Sequence, residues 1–407
     1  MRIVYLHQYF NTPQDSGSTR SYEFARHLAY AGHEVHVITT DRSEHGHRGW
    51  REENVSGVVV HRLHVPYNNA MSQIARIGAF IRFAIGAGGR ARRLRADVIF
   101  ATSTPLTIFI PAWQASLGRK TPIVFEIRDS WPTVPIALGY LRNRGVQILA
   151  RWLERFAYNH SEQLIALSPG MLEDACAHGA NASRISVIPN ACDIELFDVD
   201  EAIGMYWRQD HGIDGDAPLV VYTGTFGAAN DVTYLVELAE ATSRILPGVQ
   251  FAIIGDGAEL PKVLQRATEL DLLGKIVHVL PPAPKSEIPA VLSAATVATS
   301  VVTDNPAMFA NSANKFFDAL AAGRPIAINH EGWQADLIRD EKIGLVLDRA
   351  DLNSSATALA DTLTDATTLR SLRANARRLA RERFDRGTLA QTFISILEHA
   401  ADRTPRI

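Results

Sequence analysis

The chain of 407 residues has only two cysteines, Cys176 and Cys192, with no C-x-x-C spacing and no nearby histidine pair. That excludes a disulfide framework and a zinc site and fits reduced thiols in a cytosolic protein. No apolar run reaches the ~18–20 residues needed to cross a bilayer. The opening segment Met1-Arg2-Ile3-Val4-Tyr5-Leu6 meets His7 and Gln8 too early for a secretory leader, so it reads as a strand. Low-complexity stretches are absent. A formal net charge of -3 leaves no global surplus for nucleic acid, although a local basic patch stays compatible with it. The first strand is not followed by G-x-G-x-x-G, which argues against a hydride-transferring dinucleotide enzyme.

What is present is apolar material arranged in a repeating order. Hydrophobic residues make up 46% of the chain, enough to fill two cores. One core rarely grows past roughly 250–300 residues, so two domains are expected. Short β-branched runs at 3–6, 35–38, 58–63, 97–101, 122–127, 164–167 and 185–188 alternate with helical patterns, the first helix covering 18–31. The pattern restarts with strands at 219–223, 249–254, 276–280, 297–302, 325–329 and 344–347, and a last helix covers about 387–401. Strands alternating with helices mean parallel sheets covered on both faces. The expected fold class is therefore α/β, with two Rossmann-like doubly wound domains. The first spans 1–195 and the second 196–385, with the Asp- and Gly-containing stretch 190–217 connecting them and the last helix after both sheets. Ligands in such sheets sit beyond the carboxyl ends of the strands, so two facing sheets would place the site in the cleft between them.

The strand ends carry the chemistry. Gly224 and Gly227 follow one strand, and Gly255 and Gly257 follow the next. They read either as plain βα turns or as places where backbone N–H groups approach a ligand closely. Lys262 lies early in the following helix, as a solvated side chain or a charge for an anion. In Asn311-Ser312-Ala313-Asn314-Lys315-Phe316-Phe317-Asp318, Ser312 or Asn314 could cap a helix whose N-terminus attracts an anion. Lys315 adds a point charge, and Asp318, a turn later, could accept bonds from sugar hydroxyls. Phosphate beside a diol describes a nucleotide; an ordinary amphipathic helix is the other reading. Gly17-Ser18-Thr19 would place N–H groups at another helix start. In Glu126-Ile127-Arg128-Asp129-Ser130-Trp131-Pro132, three charges at a strand's end either pair internally, Arg128 with Glu126, or face a ligand.

Taken in order and spacing, these segments resemble the GT-B glycosyltransferases of the retaining nucleotide-sugar family 4, in the branch that assembles colanic acid, capsule and O-antigen. The carriers are Ser103-Thr104-Pro105-Leu106-Thr107, the Glu126 to Pro132 cluster, Ala166-Leu167-Ser168-Pro169-Gly170-Met171 and Ile188-Pro189-Asn190-Ala191-Cys192-Asp193. They continue with Gly224-Thr225-Phe226-Gly227, Gly255-Asp256-Gly257 and Asn314-Lys315-Phe316-Phe317-Asp318-Ala319-Leu320-Ala321-Ala322-Gly323-Arg324-Pro325. The resemblance implies a sugar transferred from a nucleotide diphosphate, with UDP the common carrier in this branch, to a glycan or lipid-linked hydroxyl. The donor sugar-nucleotide would be a substrate; no cofactor and no metal are expected. By resemblance the first domain binds acceptor and takes back the final helix, 386–407, as a crossover, and the second binds donor. Gly17 would lie beside the donor phosphate or sugar, Thr225 and Lys262 would contact the diphosphate, and Pro281 belongs to a loop holding the base. Asn314 and Lys315 would meet phosphate, and Asp318 would hold ribose.

Three departures qualify the resemblance. The family's paired acids fall on Ala310 and Asp318, so the first is missing. No Lys or Arg occurs from Gly224 to Asn230, so neutralising the leaving diphosphate falls to Lys262, Lys315 and helix dipoles. The histidine often found at the Arg128 position is also absent. Glu126, Arg128 and Asp129 are the candidate catalytic residues, with Asp129 orienting the acceptor hydroxyl. Asp198-Val199-Asp200 matches a D-x-D metal motif but follows no strand, and is set aside. Residues 71–95 mix Ile74, Ile77, Phe80, Ile81, Phe83 and Ile85 with six arginines and no acid. That pattern reads as a core helix with a solvated arginine face or as a peripheral contact with anionic lipid on the inner face of a membrane. A non-catalytic sugar-nucleotide-binding protein and a sugar-nucleotide epimerase are the alternatives to transfer.

Overall fold

The computed structural model describes residues 1–15, 17–43, 49–66, 71 and 73–403, without the side chains of 73–77. Of the basic amphipathic stretch, Ile74, Arg76 and Ile77 therefore lie outside the described side chains. The chain divides into two compact units. One comprises Met1–Thr12, Thr19–Pro189 and the chain from Gly387 on; the other comprises Pro13–Ser18 and Asn190–Arg386. The changeover falls between Pro189 and Asn190 rather than after residue 195.

The first unit is built on β1 (Arg2–Leu6), β2 (Glu34–Asp41), β3 (Trp50–Val55), β4 (Val58–His64), β5 (Val98–Thr102), β6 (Ile123–Ile127), β7 (Gln163–Ala166) and β8 (Ile185–Val187), in the spatial order β3-β4-β2-β1-β5-β6-β7-β8. All pairs are parallel except β3 with β4. Strand β3 is the one that apolar patterning misses. Its Arg51 and Glu52 are exposed and Glu53 is half-buried, and it is held as an edge by a two-residue turn at Ser56-Gly57, both with positive φ. Central strands such as β1 and β5 are buried on both faces, which explains their unbroken apolar sequence. The Arg386–Asp402 helix packs onto this unit: Phe393 stacks on Phe24 at 4.7 Å and meets Phe100 edge-on at 4.8 Å.

The second unit contains β9 (Leu219–Thr223), β10 (Gln250–Ile254), β11 (Val277–Leu280), β12 (Val297–Ser300), β13 (Ile326–Ile328) and β14 (Gly344–Val346), all parallel, in the order β11-β10-β9-β12-β13-β14. In each sheet the strand order reverses beside the first strand of the unit, between β1 and β5 and between β9 and β12. The crevice at such a reversal, beyond the carboxyl ends of the strands, is where this class of sheet holds ligands.

Candidate functional site

In the second unit the loops after β9 and β10 interlock. Phe226 N–H donates to the Asp256 carbonyl at 2.9 Å, and Glu259 N–H to the Phe226 carbonyl at 2.9 Å. Gly224 (φ +149°), Gly255 (φ +154°) and Gly257 (φ +154°) lie in backbone regions that favour glycine. A Cβ on Gly255 would fall 1.8 Å from the Gly224 carbonyl oxygen, so the two loops approach without room for a side chain. Thr225 is exposed at the tip, and its carbonyl accepts from Tyr222 Oη and Asn230 Nδ2, both at 2.9 Å.

Lys315 reaches this loop from the Asn314–Ala321 helix, which follows β12. Its Nζ stands 3.9 Å over the Tyr222 ring, in cation–π contact. It also lies close enough to Gly224 that a Cβ there would meet it at 2.7 Å. Among the described residues it has no carboxylate partner. Burial pushes its ammonium down to about 7. The helix carrying it starts at Asn314 with Ala313 as N-cap and no side-chain cap. Neither expected cap serves: Asn314 is itself the first helical residue, and Ser312 is bonded to Asn190, whose backbone N–H reaches Ser312 Oγ at 3.4 Å. Without a side-chain cap, only Phe316 N–H among the first three is held locally, donating to the Ala313 carbonyl at 3.1 Å.

Asp318 lies one turn along the same helix, buried, with Oδ1 accepting from Lys285 Nζ at 2.5 Å. Burial raises its carboxyl above the usual range and Lys285 opposes that shift. Lys285 also lies 3.8 Å from Asp193, which is bound by Arg386. Lys285, Asp193 and Arg386 escaped the sequence reading. The signal for Lys285 was its place in the loop after β11, where ligand-facing residues collect. Lys262 is exposed on the Leu260–Glu269 helix and Pro281 is exposed after β11. Gly227 follows Phe226 in the same loop as Thr225, and Gly17 (φ +114°) is exposed.

In the first unit, Glu126 ends inside the protein rather than in a pocket. Its Oε1 accepts from Arg20 Nε (3.0 Å) and Nη2 (2.8 Å), its Oε2 from Thr102 Oγ1 (2.6 Å), and neither side chain of the ion pair is exposed. The internal partner is thus Arg20, not Arg128, and an enclosed carboxylate cannot touch a substrate. Arg20 extends the link to the carbonyls of Ile188 (2.9 Å) and Pro189 (2.5 Å). Arg128 turns instead to His7, with Nη1 3.2 Å from Nε2. Burial and the neighbouring Arg128 hold His7 well below the ordinary imidazole range, so its Nε2 is a neutral acceptor. His7 follows β1, at the reversal beside β5, and was not singled out from sequence. Asp129 is exposed, and its Oδ2 accepts from Thr104 Oγ1 at 2.5 Å.

One group of side chains among the described residues brings metal-ligating atoms together, Glu154, Asp174 and His178. Arg151 and Tyr158 already bond Glu154, and Thr133 bonds Asp174.

Both halves of the chain match family models. Residues 17–191 match the glycosyl transferase 4-like domain and residues 206–379 match the glycosyl transferases group 1. The chain is a glycosyltransferase of the GT-B type, built from a family 4-like first domain and a group 1 second domain. The GDP-mannose-dependent α-(1-6)-phosphatidylinositol monomannoside mannosyltransferase of Mycolicibacterium smegmatis is 24% identical over 272 residues, 66% of this chain and 67% of that protein. The α-maltose-1-phosphate synthase of the same organism is 24% identical over 245 residues, 57% of this chain and 60% of that protein. In fold, the chain resembles a sucrose-phosphate synthase from Thermosynechococcus elongatus, with a TM-score of 0.82 at 17% identity, covering 99% of this chain and 100% of that one. It also resembles Anabaena Alr3699/HepE in complex with UDP-glucose, with a TM-score of 0.72 at 17% identity, covering 98% and 100%. No described helix is long and apolar enough to cross a membrane.

Proposed function

We propose that this glycosyltransferase takes its sugar from a nucleotide-diphosphate donor, a UDP-sugar, and passes it with retention to a hydroxyl of a glycan or lipid-linked acceptor in cell-surface polysaccharide assembly of the colanic-acid and O-antigen kind. The observation that carries the donor half is Lys315: a half-buried ammonium without a carboxylate partner among the described residues, beside glycine loops at the strand-order reversal of the second sheet. An unpaired charge in such a place is costly until an anion meets it. The diphosphate supplies that anion, and Lys315, with Lys262 and the open start of its helix, stabilises the charge gained as the diphosphate leaves. Thr225, Gly227, Gly255, Gly257 and Asn314 shape the phosphate bed, Gly17 and Pro281 flank donor and base, and Asp318, held by Lys285, receives ribose hydroxyls. The GDP-mannose dependence of the Mycolicibacterium smegmatis relative and the UDP-glucose bound by the Anabaena neighbour support a nucleotide sugar. Transfer is read as metal-independent, checked by full turnover in EDTA.

Acceptor chemistry is assigned to Arg128 and Asp129, with Asp129 orienting the attacking hydroxyl. Near-normal turnover in Asp129→Asn with unchanged acceptor binding would remove that assignment. Peripheral membrane contact is assigned to two basic-apolar faces of the first unit. On the Gln73–Leu94 helix, Phe83 turns into the core while Ile81, Ile85 and Arg82 face out. On the Arg144–Asn159 helix, Ile148 (71% exposed), Leu149 and Trp152 stand out beside Arg155, and the one acid of that helix, Glu154, is buried. Apolar rings and arginines without exposed acid suit an anionic bilayer surface. Flotation with phosphatidylglycerol vesicles tests this; no recruitment refutes it.

The decisive donor experiment is a thermal-shift and calorimetric screen of UDP, GDP, TDP and their sugars. A ligand that binds the folded state raises its melting temperature. Stabilisation is expected with UDP and UDP-sugars, and its loss in Lys315→Met. Equal stabilisation of both proteins overturns the placement.

A further inference from the structure

The amino ends of the second sheet, opposite the glycine loops, carry a separate cationic pocket. Arg324 lies two residues before β13 and is 5% exposed. Its Nη2 donates to the Ser293 carbonyl at 2.8 Å, while its Nε is buried without any partner. Arg377 and Arg381, on the Ala366–Arg383 helix, join Arg324 in lining a pocket of about 50 Å³. That is several times the ~10–15 Å³ that one water requires. Arg373, one turn earlier, also has a buried Nε without a partner.

The charge pattern of that helix is lopsided. Arg378 pairs with Glu341 and Glu382, and Arg383 pairs with Glu341. Among the described residues, Arg324, Arg373, Arg377 and Arg381 have no carboxylate within ion-pair distance. Burial and the like charges of Arg373, Arg377 and Arg208, only partly opposed by Glu201, press the Arg324 guanidinium down to about 10. Gly323 (φ +61°) makes room for the arrangement: a Cβ there would fall 2.3 Å from Arg377 Nε. Clustered guanidiniums with a buried, unbonded N–H are unfavourable alone and match the fork geometry of a phosphate. The other wall of the pocket holds Asp198 and Glu201. Their carboxylates can accept bonds from hydroxyls but would repel a second phosphate.

We propose that this pocket binds a phosphate dianion, as free phosphate or as the monoester of a small phosphorylated sugar, at a site distinct from that of the donor diphosphate. The guanidiniums of Arg324, Arg377 and Arg381 hold the phosphate oxygens. Asp198 and Glu201 discriminate against nucleoside diphosphates and receive sugar hydroxyls.

Isothermal titration of the full chain with inorganic phosphate, and separately with glucose 6-phosphate, tests the site. One saturable site is expected in the wild type and in Lys315→Met. The Arg377→Gln/Arg381→Gln double variant, changed only at exposed positions, should bind at least tenfold more weakly; should it fail to fold, Arg381→Gln alone is to show the loss. Tighter binding of the sugar phosphate assigns the monoester, and equal affinities assign the free anion. No saturable binding of either probe to the wild type overturns the proposal. So does binding that disappears in Lys315→Met and persists in the arginine variant.

Discussion

Arg20 and Glu126 form an ion pair with no solvent access, 2.8 Å from Nη2 to Oε1, between the start of the first helix and the end of β6. Arg20 also binds the carbonyls of Ile188 and Pro189, so one side chain ties the first helix, β6 and the segment leaving β8. Breaking one partner of such a pair leaves the other charge buried, at a cost of about 3–5 kcal/mol. Arg20→Met and Glu126→Leu should each lower urea stability by that order. The double variant should lose less than the sum, because no charge is left stranded. Additive losses in this cycle would show that the two groups do not depend on each other.

Gly255→Ala tests the close approach of the two glycine loops. The residue has φ +154°, and its Cβ would sit 1.8 Å from the Gly224 oxygen, where no flexible side-chain end can yield. The loops must separate, and that separation moves Gly224 away from Lys315. The variant should lose stability by an amount on the order of a few kcal/mol and lose nucleotide affinity with it. Gly248→Ala is the control for positive φ alone, since its Cβ would meet nothing within 4 Å. A Gly255→Ala protein as stable as the Gly248→Ala protein would contradict the packing argument.

The parallel strands and the loops at their ends were legible because buried parallel strands need continuous apolar runs and the turns after them need glycine. Strand β3 was not, since an exposed edge strand such as Arg51-Glu52-Glu53 carries no apolar period. The residues of the candidate site were legible one at a time, but their partners were not. Glu126 looked poised at a strand end, yet the arginine that claims it lies 106 positions away. Asp318 was visible as an acid on a helix, while Lys285, 33 positions earlier, is the group that pairs with it and opposes the effect of its burial. The expected cap at Ser312 failed for a similar reason: Asn190, distant in sequence, takes the hydroxyl that a local rule would give to the helix.

His61 predicts the acid limb of the stability curve. It is fully enclosed, with Nε2 3.0 Å from His36 Nδ1 and Nδ1 3.0 Å from Arg90 Nη2. Burial, reinforced by His36, lowers it from 6.5 to about 4. The unfolded chain therefore binds the extra proton between those values. Its contribution is fully present above pH 6.5 and is lost as the pH falls toward 4, at up to about 1.4 kcal/mol per unit. The melting temperature should drop across this window, and the slope should be shallower in His61→Gln. An identical slope in the two proteins would assign the acid sensitivity elsewhere.

Lys315 makes the opposite kind of prediction, one that reads ligand binding rather than folding. In the free protein its ammonium is lowered from 10.5 to about 7, so between these values the unfolded chain holds the proton and the folded chain does not. Stability should therefore rise with pH through that range, and Lys315→Met should remove the rise. A bound diphosphate favours the charged form and raises the folded-state pKa. At pH 8 nucleotide binding must then take up a proton. Calorimetry of UDP binding in buffers of different ionisation enthalpy should report an uptake approaching one proton, falling toward zero at pH 6. Affinity should weaken by up to tenfold for each unit above pH 7, until the pKa of the complex is reached. Lys315→Met should bind weakly at every pH with no uptake from this group. A pH-independent affinity in the wild type would mean that the diphosphate does not meet Lys315.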